Sequence, residues 1–210
     1  MLYRSMKRTL DIAGSLVGLI VLSLPIAMIA IAIKLDSRGP VFFRQERIGK
    51  DGKAFMIWKF RTMVVGAASK GLGASVVKSD DRITRVGRIL REFSLDEVPQ
   101  FINVLTGGMS LIGPRPTLRD QVDLYTAHQR QRLNMRPGIT SLASVKGRNE
   151  LSWADRIELD VKYVKSASLM LDLRIFVRTF WVAFITREGV YNSEGANDDF
   201  SAAKAADHRA

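Results

Sequence analysis

The stretch Ile12–Ile33, IAGSLVGLIVLSLPIAMIAIAI, carries no charged residue. A continuous helix of that length rises about 33 Å, against about 30 Å for the hydrocarbon core of a bilayer. A buried helix of a water-soluble core rarely runs so long without a charge, and the apolar part of a cleaved leader is shorter. A bilayer is therefore the expected environment. Pro25 sits near the middle, with Ser23 two positions before it. Proline removes one helical N–H and clashes with the carbonyl four residues back, so a bend is predicted there. Arg4, Lys7 and Arg8 precede the segment, and Lys34, Arg38, Arg44, Arg47 and Lys50 follow it. Basic flanks stay preferentially on the cytoplasmic side. A helix that crosses once exports one basic cluster, whereas one that enters, bends near Pro25 and returns exports neither. A re-entrant hairpin with arms Ile12–Leu24 and Pro25–Lys34, each too short to cross alone, is the favoured reading. A kinked spanning helix is the alternative.

The whole chain has 210 residues, 47% hydrophobic and 25% charged, which suits one folded domain with a core rather than a disordered polymer. The absence of cysteine excludes disulfides, thiolate zinc sites and a cysteine nucleophile. With only His128 and His208, histidine-rich metal sites and a Ser-His-Asp triad are poor fits. The net charge of +11 favours polyanions: nucleic acid, anionic lipid or a phosphorylated substrate.

Beyond Gly39-Pro40, Val41–Gln45 reads as a strand, Gly49–Gly52 as a turn and Ala54–Met63 as a second extended stretch. A β-hairpin follows from the alternation. Gly66–Gly73 is a small-residue loop without a phosphate-loop signature. Asp81–Phe93 is predicted helical, with Arg85, Arg88 and Arg91 on one face. A second helix is predicted from Ser94 to Gly107-Gly108, then a short strand, a helix over 152–165, and an apolar helix over 169–185. That last helix suits either the membrane interface or the core. Residues 187–210 are polar and predicted to fray. The expected divisions are 1–38 for the membrane segment, 39–186 for the main domain and 187–210 for the tail.

Four clusters carry chemistry. Ser94-Leu95-Asp96-Glu97-Val98-Pro99-Gln100 is a capping-box pattern, in which acids in a first helical turn have an ordinary structural explanation. Against that explanation, the acids follow a basic face ending in Arg91, and Pro99 costs the helix a hydrogen bond. In Gly113-Pro114-Arg115-Pro116 two prolines stiffen the backbone around one guanidinium, a fork that binds phosphate bidentately. Lys59-Phe60-Arg61-Thr62 places Lys59 and Arg61 on one strand face, either a solvated edge or an anion site. Arg136-Pro137-Gly138-Ile139-Thr140, followed by Gly147-Arg148-Asn149, has turn chemistry that leaves its arginines unexplained. Carboxylates bind Mg²⁺ or act as nucleophiles, and arginines neutralise transferring phosphate oxygens. Together these residues point to phosphoryl-group chemistry at a bilayer surface.

The order of these motifs resembles the bacterial sugar transferase family, the monotopic phosphoglycosyl transferases. The resemblance runs from about Lys7 to Thr186. It is carried by GPVFFRQERIGKDGKAF (39–55), KFRTM (59–63), DRITRVGRILR (81–91), SLDEVPQ (94–100), MSLIGPRP (109–116) and RPGIT (136–140). It implies a mostly helical α/β fold with a small β-hairpin, a re-entrant amino-terminal membrane helix and interfacial helices. It also implies transfer of a sugar 1-phosphate from a UDP-sugar to a polyprenol phosphate such as undecaprenyl phosphate, at the cytoplasmic face of a bacterial inner membrane. Asp96 matches the family's nucleophile and Mg²⁺ ligand, Glu97 its partner, Arg91 a phosphate-binding arginine, and Pro114-Arg115-Pro116 the nucleotide-side loop. Lys59, Arg61 and Arg136 are further phosphate-binding candidates, and Ser23 and Pro25 mark the membrane-helix break. Larger relatives carry extra amino-terminal membrane helices that this chain lacks. Where the family commonly reads GWAQVNGR, residues 141–148 read SLASVKGR, and Ala167 and Met170 stand where tryptophans are frequent. A homo-oligomer is compatible with the sequence. Two rival readings are a membrane-anchored scaffold that retains the fold without turnover, and a nucleic-acid binder. The apolar segment and the missing recognition motifs disfavour the second.

Overall fold

A computed structural model describes residues 2–67, 80–147 and 150–186. Two helices, α1 (Leu2–Val21) and α2 (Ser23–Asp36), lead into the hairpin strands β1 (Phe42–Ile48) and β2 (Ala54–Phe60). There follow α3 (Arg85–Glu92), a single 3-10 turn (Leu95–Glu97), α4 (Gln100–Leu105), β3 (Ser110–Ile112), α5 (Arg119–Asp123) and α6 (Ala127–Arg130). Strand β4 (Gly138–Thr140), α7 (Trp153–Ser166) and α8 (Leu169–Trp181) complete the order. The architecture is α/β and mostly helical, with two two-stranded sheets. Part of the Gly66–Gly73 loop, the Arg148-Asn149 pair and the tail 187–210 lie outside the described residues.

The amino-terminal apolar segment is broken by 62°, and among the described residues no single helix is long and apolar enough to cross a membrane, although α1 and α2 together are. The break falls at Leu22, next to Ser23 and three residues before Pro25. Pro25 would have donated to Val21; placed in the first turn of α2 its missing N–H costs nothing, so the ring starts a new helix instead of kinking an old one. The two helices span Leu2–Val21 and Ser23–Asp36 in place of the expected arms Ile12–Leu24 and Pro25–Lys34, and a pair bent in this way suits a broken span as well as a re-entrant loop. The polar first half of α1 is docked on the domain. Asp11 accepts from the Leu111 N–H (2.9 Å) and the Ser110 hydroxyl (2.8 Å), and Arg8 donates to the Val104 (2.7 Å) and Leu105 (3.1 Å) carbonyls. The apolar second half and α2 leave Leu16, Val17, Ile20, Val21, Leu24, Met28 and Ile31 exposed.

The hairpin forms as expected, in antiparallel register with Phe42 opposite Phe60. The free edge of β2 is closed by one side chain: Asn103 Oδ1 accepts from Trp58 N–H (2.9 Å) and its Nδ2 donates to the Met56 carbonyl (2.7 Å). That amide stands in for a third strand and fixes α4 against β2. Ile57, Val104 and Met109 bury themselves in the same joint. A second cluster, Ile33, Phe60 and Leu90, ties α2, β2 and α3 together.

Two helical expectations need correction. The helix predicted over 81–93 begins only at Arg85, because Thr84 caps it by accepting from Gly87 N–H (3.0 Å). Ahead of it, Asp80 clasps Arg82, and Ile83 bridges to Met63. The helix predicted from Ser94 is interrupted. Ser94 takes a left-handed conformation (φ 57°) and its side chain does not cap. The acids occupy the single turn, and Pro99, without an N–H, opens a separate helix at Gln100. The exit at Gly107 is as expected: its left-handed φ of 87° ends the helix.

The pairing of β3 with β4 is parallel, Ser110 opposite Gly138 and Ile112 opposite Thr140. A Cβ on Gly138 would strike the Gly113 backbone, and one on Gly113 would strike the Arg136 carbonyl, so both must be glycine for the two loops to touch. The helices predicted over 152–165 and 169–185 form as α7 and α8. Helix α8 is two-sided: Ile175 joins the core with Tyr163, while Met170, Leu173, Phe176, Val177, Phe180 and Trp181 remain exposed.

Candidate active site

Three elements converge on the acidic turn. Strand β2 delivers Lys59, whose Nζ donates to Glu97 Oε1 at 2.7 Å and lies 3.5 Å from Asp96 Oδ2. The loop after β3 delivers Arg115, whose guanidinium donates to the same Glu97 oxygen at 3.2 Å. Helix α3 brings Arg91, which is anchored by donating from Nε to Thr62 Oγ1 (2.8 Å) and acts electrostatically on Asp96. The left-handed Ser94 is what lets the chain leave α3 and present two adjacent carboxylates on one tight turn.

The two acids are not equivalent. Glu97 is held between two cations, one of them on a half-exposed side chain. Asp96 is nearly buried, and burial pushes its carboxyl above the usual range; Lys59 opposes the shift, Glu97 adds to it and Arg91 opposes it. The Asp96 charge therefore depends on its cationic neighbours Lys59 and Arg91.

Sequence reasoning brought Asp96, Glu97, Lys59, Arg91 and the Pro114-Arg115-Pro116 loop to one place. It misplaced two arginines. Arg61 is buried, and its guanidinium donates to the Ser37 carbonyl (2.8 Å), the Ser37 hydroxyl (3.0 Å) and the Arg38 carbonyl. It closes the carboxyl end of α2, because β2 stops at Phe60 and the alternation that would have set Arg61 beside Lys59 stops with it. Arg136 is exposed and donates from Nε to the Gly107 carbonyl (2.9 Å), just past the end of α4, where Arg8 also donates. Both are tied to backbone carbonyls and not to the acidic pair.

Residues the sequence did not mark also belong to the site. Arg47 of β1, seen only as part of a basic flank, is driven down to about 10 by burial, with Arg115 adding and Glu97 opposing. Ser144 sits against Arg115 (3.4 Å). Arg132 and Asp160 lie directly beneath Arg115. No local signal distinguishes these from solvated charges; only the fold assembles them.

The model of the family described as "Bacterial sugar transferase" matches residues 2–186. The chain belongs to the bacterial sugar transferase family. It is thus a member of a family of enzymes. It is 42% identical over 174 residues to the uncharacterized sugar transferase EpsL of Bacillus subtilis, covering 83% of this chain and 85% of that one. It is 35% identical over 195 residues to the exopolysaccharide production protein ExoY of Rhizobium meliloti, covering 86% of each. It is 40% identical over 192 residues to the UDP-glucose:undecaprenyl-phosphate glucose-1-phosphate transferase of Escherichia coli, covering 88% of this chain but 41% of that protein.

Proposed function

We propose that the protein transfers a sugar 1-phosphate from a UDP-sugar to a polyprenol phosphate such as undecaprenyl phosphate, at the cytoplasmic face of a bacterial inner membrane. The observation that carries this reading is the adjacent Asp96-Glu97 pair, set among Lys59, Arg91 and Arg115. Relatives named for undecaprenyl-phosphate sugar phosphate transfer support the substrate class. The bent apolar pair α1–α2 and the exposed face of α8 support a protein seated on one leaflet.

In this reading Asp96 is the nucleophile. Its carboxylate oxygen attacks the phosphorus that bears the sugar, the bond from that phosphorus to the bridging oxygen breaks, and UMP leaves. A phosphate oxygen of the lipid then attacks the same phosphorus and the aspartate departs, giving polyprenyl-diphospho-sugar. Lys59, Arg91 and Arg115 offset charge on the transferring oxygens in both steps. Glu97 holds Lys59 and Arg115 beside the nucleophile. The donor set also suits Mg²⁺, which takes hard oxygens and binds through one or two carboxylates plus substrate phosphates. Asp96 would hold it, and it would supply charge neutralisation at the diphosphate. Chelation is accordingly expected to abolish UMP release and Mg²⁺ to restore it; full turnover in excess EDTA removes the metal from this reading.

The direct test is a panel of UDP-sugars with undecaprenyl phosphate in detergent, reading UMP. Turnover with at least one donor is the expected result. No UMP from any of them leaves the non-catalytic scaffold as the better reading. The re-entrant topology has its own test. Ser5 and Lys53 are exposed on either side of the apolar segment, and the chain has no cysteine. In intact cells an impermeant thiol reagent should label neither Ser5→Cys nor Lys53→Cys from outside. External labelling of one of them alone establishes a crossing helix.

A further inference from the structure

We propose that the buried Arg132–Asp160 ion pair is a positioning device for Arg115, gripping both of its peptide groups so that the guanidinium is aimed before substrate arrives. The proposal rests on the reading of Arg115 as a ligand of the UDP-sugar diphosphate. Asp160 is fully buried on α7 and Arg132 nearly so in the turn Gln131–Asn134. One terminal nitrogen of Arg132 donates both to Asp160 Oδ2 and to the Arg115 carbonyl (2.9 Å), and the other donates to the Tyr125 hydroxyl. Asp160 Oδ2 in turn accepts from the Arg115 N–H (3.3 Å). The two partners of one ion pair therefore hold the donor and the acceptor of a single loop residue.

The covalent chain restrains the same residue from both sides. Pro114 and Pro116 have fixed φ, and a residue before proline is kept out of the helical region, which applies to Gly113 and to Arg115 itself. The result is a long side chain, 46% exposed, on a root that cannot move. Such an arrangement removes loop entropy from the binding step and leaves only the side chain to be ordered.

A role in stability alone fits less well. Removing two charges from water is costly, and apolar residues of similar volume hold a core equally well. Asp160 Oδ2 serves both the Arg115 N–H and Arg132, and the same Arg132 nitrogen holds the Arg115 carbonyl. The pair is arranged around Arg115.

The test compares two double exchanges that both remove the buried charges. Arg132→Gln with Asp160→Asn keeps an amide donor for the Arg115 carbonyl and an amide acceptor for its N–H. Arg132→Met with Asp160→Leu keeps volume and drops both hydrogen bonds. The probe is UDP, titrated calorimetrically with Mg²⁺ into the full chain in detergent, with thermal unfolding measured alongside. Arg115→Ala should weaken UDP about tenfold, the loss of a charge-assisted fork. The amide pair should bind within about twofold of the parent, and the apolar pair should be weakened about three- to tenfold. Adding Arg115→Ala to the apolar pair should cost nothing beyond Arg115→Ala alone. Losses that multiply, or equal binding by the two pairs, overturn the positioning role. If the apolar pair does not fold, Arg132→Lys replaces it, since lysine retains the ion pair without the fork. Unchanged UDP binding by Arg115→Ala would instead overturn the phosphate-ligand reading, and the proposal with it.

Discussion

Asp96→Asn is expected to remove UMP release altogether, a loss on the order of ten-thousandfold or more, as for other nucleophiles that act through a covalent step. The amide keeps the size and most contacts of the carboxylate, so Lys59, Arg91 and Arg115 remain in place to bind nucleotide. The two-step route has a signature that a metal ligand would not give. Enzyme mixed with UDP-sugar and no lipid should release about one UMP per active site as a burst, and mass spectrometry should find a sugar-phosphate adduct on the peptide containing Asp96. Neither should occur with Asp96→Asn. A strict need for lipid before any UMP appears, with no adduct on trapping, makes the reaction a single displacement in a ternary complex. Asp96 would then be a ligand and not the attacking group.

The acids were legible because two independent lines met on them: a pattern with a structural excuse, and a basic face leading into it. The structure withdraws the excuse. A capping box requires Ser94 in extended backbone with its hydroxyl turned onto the helix; instead Ser94 is left-handed and caps nothing. Lys59 and Arg115 were legible for similar local reasons, strand alternation and proline stiffening. Arg61 shows the limit of such reasoning. Its fate was decided by carbonyls at the end of α2, more than twenty residues earlier in the chain, which a sequence window does not reveal. The strand-to-strand contact of GPRP with RPGIT was invisible for the same reason. Each motif reads as a turn, and only the two glycines that let them touch, Gly113 and Gly138, record the contact. Asp160 falls in a polar helical pattern where a carboxylate is normally solvated, and Asp172 in an apolar helix that suits either the membrane interface or the core, so neither burial had a local signal.

Asp172 is where the largest effect on stability is expected. One carboxylate joins three elements: Oδ2 accepts from the Lys7 ammonium (2.9 Å) and the Tyr3 hydroxyl (3.0 Å) of α1, and Oδ1 from the Tyr163 hydroxyl of α7 (2.6 Å). Burial and the carboxylate's own charge push both tyrosines well above their ordinary value, so they stay protonated and act as donors across the physiological range. Lys7 and Asp172 are each about nine-tenths buried. Asp172→Asn leaves the lysine charge buried without its counter-ion, a loss of about 3–5 kcal/mol in this setting. Denaturant unfolding in detergent measures it. Pairing Asp172→Leu with Lys7→Met should recover most of that loss, because the expensive element is the orphaned charge and not the missing contact. A single exchange costing under about 1 kcal/mol would mean that the pair behaves as a solvated surface bridge. The seating of α1 would then depend on Asp11 and Arg8, whose bonds to β3 and to the end of α4 also tie that helix to the domain that carries Asp96.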